Sequence, residues 1–241
     1  MSEADKVFKK SYKCPICDSN FKCLTVKQGK ARMVSSDIDL KVNYRDIEPL
    51  KYDIILCPVC GYAALERYFD RVSAFQRKNI IDKICQSFSY VFEDKDEFTF
   101  DDAIVRYKFA VLTSQVKMSK ASEFGFLCLK MGWLYRSYAD SLDESMKKKK
   151  AELKEQEKTY LTNAFNYFET ARAKEQSPIC GMDEITFDTL LASLCVELDK
   201  KDEAKKYMSI ILSNRNATKR VKDKIFDLKE LLDGQSGEED E

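Results

Sequence analysis

Nine cysteines and no histidine limit the chemistry open to this 241-residue chain. The lack of histidine excludes Ser–His and Cys–His nucleophile pairs, histidine general bases and every metal site that contains histidine. A metal ion would therefore have to be held by thiolates or carboxylates. Four of the cysteines form two Cys-Pro-x-Cys pairs, Cys14 with Cys17 and Cys57 with Cys60, which are separated by 39 residues.

These two pairs predict one tetrahedral metal site with four cysteine ligands. Each tight Cys-x-x-Cys turn places two sulfurs on one side of a loop, and Gly61 follows the second pair where the chain needs positive φ. Zinc is the expected ion and iron the alternative, because a site of four sulfurs suits both. A thioredoxin-like redox pair at Cys57 and Cys60 is the rival interpretation, but it leaves the first pair unexplained. Cys23 is either a spare ligand or a small buried hydrophobic residue.

Strand-compatible segments lie around these pairs and predict a zinc-ribbon or rubredoxin-like module within residues 1–64. They cover residues 21–26, 31–36, 38–42 and 52–56. Four polar residues between the pairs are candidates for a small site beside the metal, although surface or ion-pair roles explain them more simply: Arg32, Asp37, Asp39 and Tyr44. The lysine-rich start of the chain, around Lys6 to Lys13, is expected to be a solvated, partly disordered leader.

Helical periodicity begins at residue 65, with a connecting helix and linker predicted over 65–98 and helical hairpins over 99–233. A small-large-small pattern recurs three times along the hairpins. Its copies are Ala103, Tyr107 and Ala110; Ala164, Phe168 and Ala171; and, more loosely, Ala204, Met208 and Ile211. A second signature, Gly132 with Tyr135 and then Ala192 with Cys195, lies between the copies. Such spacing is typical of tetratricopeptide-like repeats. Together with the β module before them, these helices make the predicted fold class α+β.

A charged insertion near residues 143–163 separates the first two copies. A stretch without Gly or Pro continues to Lys174 and predicts one long helix. Its charged part is expected to be a solvated projection, with a partner-binding arm as the alternative. The acidic segment 234–241 is expected to be a disordered tail.

The motifs together resemble an uncharacterised bacterial family known as domain of unknown function 2225. The family has two Cys-Pro-x-Cys pairs, the second of which continues as Cys-Gly-Tyr-Ala, matched here at residues 60–63. Between the pairs it carries an Arg, an Asp-x-Asp and a Tyr, matched by Arg32, Asp37, Asp39 and Tyr44. Asp18, where glycine is usual, and the charged insertion depart from the pattern.

The C-terminal part of that family is tetratricopeptide-like, which residues 133–136, Trp-Leu-Tyr-Arg, resemble. The resemblance implies metal binding and helical repeats, and it supplies no activity. No phosphate loop, nucleophile elbow or carboxylate pair is present either, so we do not expect an enzyme.

Charge and hydropathy narrow the remaining functions. Lys and Arg number 41, as do Asp and Glu, and residues 1–60 carry eleven basic and eight acidic side chains. Zinc bound by four thiolates adds two negative charges, which nearly cancel this small basic excess. Nucleic-acid binding needs a strong positive charge, so a nucleic-acid-binding ribbon is an unfavoured alternative. The polar first 13 residues and the lack of long apolar runs predict a cytoplasmic protein without membrane association. The expected function is a protein- or peptide-binding adaptor, with rubredoxin-like electron transfer as a further alternative.

Overall fold

The computed structural model describes residues 3–235, whose N-terminal part contains three antiparallel two-stranded hairpins. The strands are β1 Val7–Lys13, β2 Asn20–Val26, β3 Arg32–Ser36, β4 Val42–Arg45, β5 Ile54–Leu56 and β6 Ala63–Leu65. β1 pairs with β2, β3 with β4, and β5 with β6. Each Cys-Pro-x-Cys pair lies in the connection of a hairpin, the first between β1 and β2 and the second between β5 and β6. The β3–β4 hairpin separates the two cysteine hairpins in sequence.

Two predictions for this part of the chain were wrong. Residues 7–13 form β1 and are not a disordered leader, and the Lys6 side chain is buried with its Nζ donating to the Asp46 carbonyl at 2.6 Å. Most of the predicted strand 38–42 is the turn of the β3–β4 hairpin, because Leu40 has φ +70° and its N–H bonds the Asp37 carbonyl at 3.1 Å. A residue with positive φ cannot continue a strand.

Eight helices follow the strands in the described part of the chain. They are α1 Glu66–Phe69, α2 Ala74–Ile80, α3 Phe100–Val116, α4 Ala121–Asp140, α5 Lys147–Lys174, α6 Glu184–Glu197, α7 Lys201–Ser213 and α8 Lys219–Gln235. A π-helical turn, Ile81–Cys85, extends α2. Thr99 and Asp102 form the predicted capping box of α3, and Asp183 caps α6 through the Thr186 N–H. The first two residues of the predicted acidic tail end α8, and residues 236–241 lie outside the described residues.

The recurring small and large residues are buried where consecutive helices pack. Ala164, Phe168 and Ala171 on α5, and Ala192 and Cys195 on α6, belong to one apolar core. Residues of α7 and α8 complete that core. Each helix from α3 to α8 packs against the next one along the chain, so the six helices form a continuous array. The α+β fold class is confirmed.

The charged insertion is part of this packed array and not a solvated projection. Its helix, α5, lies along α4 and buries Leu153 and Leu161 against it. Leu153 is only 4% exposed and shares a core with Tyr135. One leucine face along a mostly charged helix is therefore enough to dock it.

The N-terminal hairpins are not separated from the helices. Ile54 and Leu56 of β5 and Leu65 of β6 share one core with Tyr107 of α3 and Leu134 of α4. The other face of β5, through Ile55, packs in the core that contains the cysteine pairs. The cysteine turns are thus mounted on strands that the helices support. In residues 3–235, every helix is too short or too polar to cross a lipid bilayer.

Candidate metal centre

The two cysteine turns have the same backbone design. In the first, the Asp18 N–H donates to the Cys14 carbonyl at 3.0 Å and the Cys14 N–H to the Ser19 carbonyl at 2.9 Å. In the second, the Gly61 N–H donates to the Cys57 carbonyl at 3.0 Å and the Cys57 N–H to the Tyr62 carbonyl at 2.8 Å. Asp18 has φ +62° and Gly61 has φ +76°, so both turns need the left-handed conformation, which the sequence predicted for Gly61.

The two turns bring Cys14, Cys17, Cys57 and Cys60 together, with all four Sγ atoms within 4.8 Å of one another. Across the turns, the Cys14 and Cys60 sulfurs are 3.6 Å apart and those of Cys17 and Cys57 are 3.7 Å apart. A disulfide needs about 2.05 Å, so none of these contacts is a covalent bond.

The sulfur geometry fits a single tetrahedral ion. With metal–sulfur bonds of about 2.3 Å, the edge of a tetrahedron of four sulfurs is about 3.8 Å, close to both cross-turn distances. Three of the four cysteines are buried and Cys17 is half-buried, which excludes most water from the centre. The four thiols can therefore hold one metal ion, and with every ligand position filled by protein that ion would have no open site for substrate.

The hydrogen bonds among the thiols favour the loss of one proton, at Cys57. Hydrogen bonds from Cys14 and then Cys60 lower the pKa of Cys57 to about 4, and backbone N–H groups of the turn act in the same direction. The Ile16 N–H donates to the Cys14 sulfur at 3.4 Å, but hydrogen bonding to Cys57 raises the pKa of Cys14. Hydrogen bonding to Cys14 and Cys57 raises the pKa of Cys60. Metal ligation requires thiolates, so binding at this centre would release protons.

Arg77 on α2 supports the first turn, a role that the sequence analysis missed. Its Nε and Nη2 donate to the Ile16 carbonyl at 3.0 and 2.7 Å, and Nη2 also meets an Asp18 carboxylate oxygen at 2.7 Å. A guanidinium can hold a carbonyl and a carboxylate at once because its donors form a rigid fork. Asp18, the departure from glycine, thus gains an ion pair at its strained position. No local pattern links Arg77 to a turn some sixty residues away.

The other five cysteines lie outside the four-thiol group. Cys23 is buried in the same core, and Cys85 is half-buried beside it, where burial is the first cause that raises the pKa of its thiol. Cys128 and Cys195 are buried among the helices as expected, whereas Cys180 is half-buried. Cys23 is thus a core residue, not a fifth member of the cluster.

The structure places two of the four polar candidates on the strands of the β3–β4 hairpin and the other two in its turn. Arg32 is exposed on β3 opposite Arg45, and Tyr44 is half-buried on β4 opposite Met33. Asp37 and Asp39 lie in the turn of the hairpin, and the neighbouring Ile38 and Leu40 pack on the helical core and not on the core around the cysteines.

Asp37 and Asp39 instead meet Arg136 of α4. The Arg136 guanidinium contacts Asp37 and Asp39 at 3.0 Å each, Glu157 of α5 at 2.6 Å and Glu197 of α6 at 2.5 Å. We call these five residues the Arg136 cluster. Trp133 also donates to Asp39 at 2.7 Å. The two family motifs, Asp-x-Asp and Trp-Leu-Tyr-Arg, are therefore in direct contact, and they tie the hairpin to the helices.

The fold and the site define the class of this protein. It is an α+β protein in which two cysteine turns, carried by short β-hairpins, pack against an array of helices. The chain belongs to the family described as "Uncharacterized protein conserved in bacteria (DUF2225)", whose model matches residues 7–232. That match confirms the resemblance drawn from the motifs. No curated protein matches the chain, and no solved structure matches it.

Proposed function

We propose that this protein is a non-catalytic, cytoplasmic adaptor that binds a segment of a partner protein between its β3–β4 hairpin and its helices. The observation that carries the proposal is an open groove of about 540 Å³, lined by the hairpin on one side and by α6 and α8 on the other. Stacked helical hairpins commonly use such grooves for recognition.

The chemistry of the groove favours an extended segment with apolar and acidic side chains. Its apolar lining includes Met33, which is 62% exposed, and Leu231, which is 47% exposed. Arg220 and Lys224 line it as well, and within residues 3–235 neither forms an ion pair. Of the two carboxylates in the lining, Asp37 is held by Arg136, so the two cations face only Asp227. In the described part of the chain, β3 pairs with β4 alone and is exposed along its length, so its other edge is open to a partner strand.

Site-specific photo-crosslinking tests this groove. A photoreactive amino acid at Met33 should capture one partner in bacterial cells, and a peptide from the captured region should then bind the purified protein. Leu231→Asp should weaken that binding by about tenfold or more, because it places a charge on the apolar lining. Phe226→Asp is the matched control, since Phe226 is 53% exposed on the same helix but does not line the groove. Equal losses for both variants, or none, would refute the groove as the binding site.

We also propose that the cysteine centre holds one zinc ion that stabilises the hairpins and takes no part in a reaction. Four thiolates saturate tetrahedral zinc, so the ion has no exchangeable position for water. The nine unpaired cysteines support a reducing compartment, in which thiolate ligands persist.

Metal content of protein purified without added metal tests the second proposal. We expect about one equivalent of zinc, lost in Cys57→Ser and kept in Cys180→Ser, whose half-buried thiol lies outside the centre. Iron in place of zinc, with a red colour, would favour the electron-carrier alternative. If zinc and iron are each present at less than about half an equivalent, the centre holds no resident ion.

A further inference from the structure

A buried arginine on α3 has no carboxylate partner among the residues that the structure describes. Arg106 is 8% exposed, although its guanidinium carries a permanent charge. The structure gives its side chain one hydrogen bond, from Nη1 to the Cys23 sulfur at 3.5 Å, and no ion pair within residues 3–235. Its Cζ lies 3.9 Å from the centre of the Phe98 ring and 5.6 Å from that of Phe92.

The nearest carboxylate on its own helix is already engaged. Asp102, one turn before Arg106, accepts from Lys95 Nζ at 2.8 and 3.1 Å and from the Thr99 N–H at 2.9 Å. Burial lowers the pKa of Arg106, and the Cys23 thiol and, less strongly, the charge of Asp102 oppose that effect. A buried cation whose counter-charge is shared with another group costs free energy, and a bound anion would lower that cost.

Arg106 lines two adjoining cavities of about 160 and 220 Å³. Since a water molecule occupies about 30 Å³ of liquid, each cavity has room for a small organic ion. Both cavities also contain Phe92, Lys95 and Phe98, so they share one wall. Leu56 and Pro58, next to and within the second cysteine turn, line the smaller cavity.

The charges around the smaller cavity leave two cations unpaired within the described chain. Asp94 pairs with Lys9 at 2.6 Å, and Glu93 lies 3.8 Å from Lys95. Lys22, at the exposed rim, has no ion pair in the described part of the chain, and neither has Arg106. The excess of positive charge is therefore at the buried guanidinium and at one rim lysine.

We propose that Arg106 is the anchor of a binding site for a small organic oxyanion, a carboxylate or phosphate attached to a compact apolar group. Three Arg106 N–H donors, at Nη2 and Nε, have no hydrogen-bond partner among residues 3–235, and a guanidinium binds two oxygens of either anion side by side. Leu56 and Phe92 supply the surface for the apolar part. Lys22 adds a second charge at the entrance.

Direct titration of the full chain tests the site. Inorganic phosphate, phenyl phosphate and benzoate are added in turn, with benzyl alcohol as the neutral control, and the Arg106 Nε–H resonance is followed by NMR. We expect the oxyanions to shift this resonance and benzyl alcohol to leave it unchanged. Response to both phosphates but not benzoate assigns the anion as phosphate, and the reverse assigns it as carboxylate. An unmoved resonance with all three anions would overturn the proposal.

Two variants separate this site from unspecific attraction. Arg106→Lys keeps the charge but loses the paired donors, and should weaken binding about tenfold, equivalent to about 1.4 kcal/mol. If that variant does not fold by circular dichroism, Lys22→Gln decides, because Lys22 is exposed and its loss should weaken binding severalfold. Lys30→Gln, an exposed lysine outside both cavities, is the matched control. Equal affinities for Lys22→Gln, Lys30→Gln and the unchanged protein would count against the site.

Discussion

Gly61 meets two separate requirements at the end of the second cysteine turn. Its φ of +76° is a conformation that side chains disfavour, and a Cβ added to it would lie 2.4 Å from Cδ2 of Phe88. The Phe88 ring, which follows the π-helical turn, thus packs directly onto the cysteine turn. Residue 61 therefore connects the geometry of the metal centre with the segment after α2.

Replacing this glycine allows the two requirements to be separated. Gly61→Ala should destabilise the protein by about 2–4 kcal/mol, because backbone strain of about 1 kcal/mol adds to overpacking of about 1–3 kcal/mol. Gly29→Ala is the matched control, since Gly29 has φ +74° but nothing within 4 Å of the added Cβ. Urea unfolding of both variants measures the difference. Equal losses of stability would show that Phe88 moves aside at no cost.

For single residues, the sequence predicted those conformations that are determined by neighbouring residues in the chain. The Cys-x-x-Cys spacing and Gly61 predicted both turns, because a turn is determined by a few neighbouring residues. Asp18 was recognised as the equivalent position, and it does adopt positive φ. Arg77, which holds that turn, could not be found, because its contact depends on how α2 packs.

The long helix α5 shows how composition misleads at the scale of an element. Charged residues dominate its first half, and on that ground a solvated projection was predicted. Leu153 is nevertheless 4% exposed, and Glu157 bonds Arg136 of α4 at 2.6 Å. One apolar position per two turns docks a helix when the neighbouring helix is long enough to receive it, and α4 continues to Asp140.

Leu153 tests whether this half of α5 belongs to the fold. Leu153→Ala should cost about 2–4 kcal/mol of unfolding free energy, because it leaves a cavity between α4 and α5. Met146→Ala, just before the helix and 47% exposed, should change stability by less than about 0.5 kcal/mol. Chemical denaturation compares the two. A loss below about 1 kcal/mol for Leu153→Ala would restore the interpretation of α5 as a projecting arm.

Across the whole molecule, the Arg136 cluster fastens the β3–β4 hairpin to three helices. The sequence marked Asp37, Asp39 and Arg136 as parts of family motifs, but not that they meet. Their contacts span 97 and 99 residues, a separation that no periodicity or spacing within one chain can reveal. The hairpin also forms one wall of the proposed groove, so this cluster holds the groove in shape.

The cluster should make the stability of the protein depend on pH. One guanidinium faces four carboxylates there, and burial, followed by the charge of Asp39, raises the pKa of Glu197 from 4.5 to about 7. Burial raises the pKa of Glu157 as well. Lys224, the other cation close to Asp39, has its own pKa lowered by burial. Arg136 and Lys224 therefore do not fully offset the repulsion among the four carboxylates. A proton on Glu197 relieves part of that repulsion.

Since the pKa of Glu197 is higher in the folded chain than in the unfolded one, proton binding favours folding. This stabilisation is fully present below about pH 4.5 and is lost as the pH rises through about 7. Between about pH 5 and 7.5 the protein should lose about 2 kcal/mol, measured by urea unfolding at each pH. Glu197→Gln should flatten this slope, while Glu155→Gln, an exposed position on α5, should keep it. Stability that rises across this range would mean that Glu197 is ionised and held by Arg136 throughout.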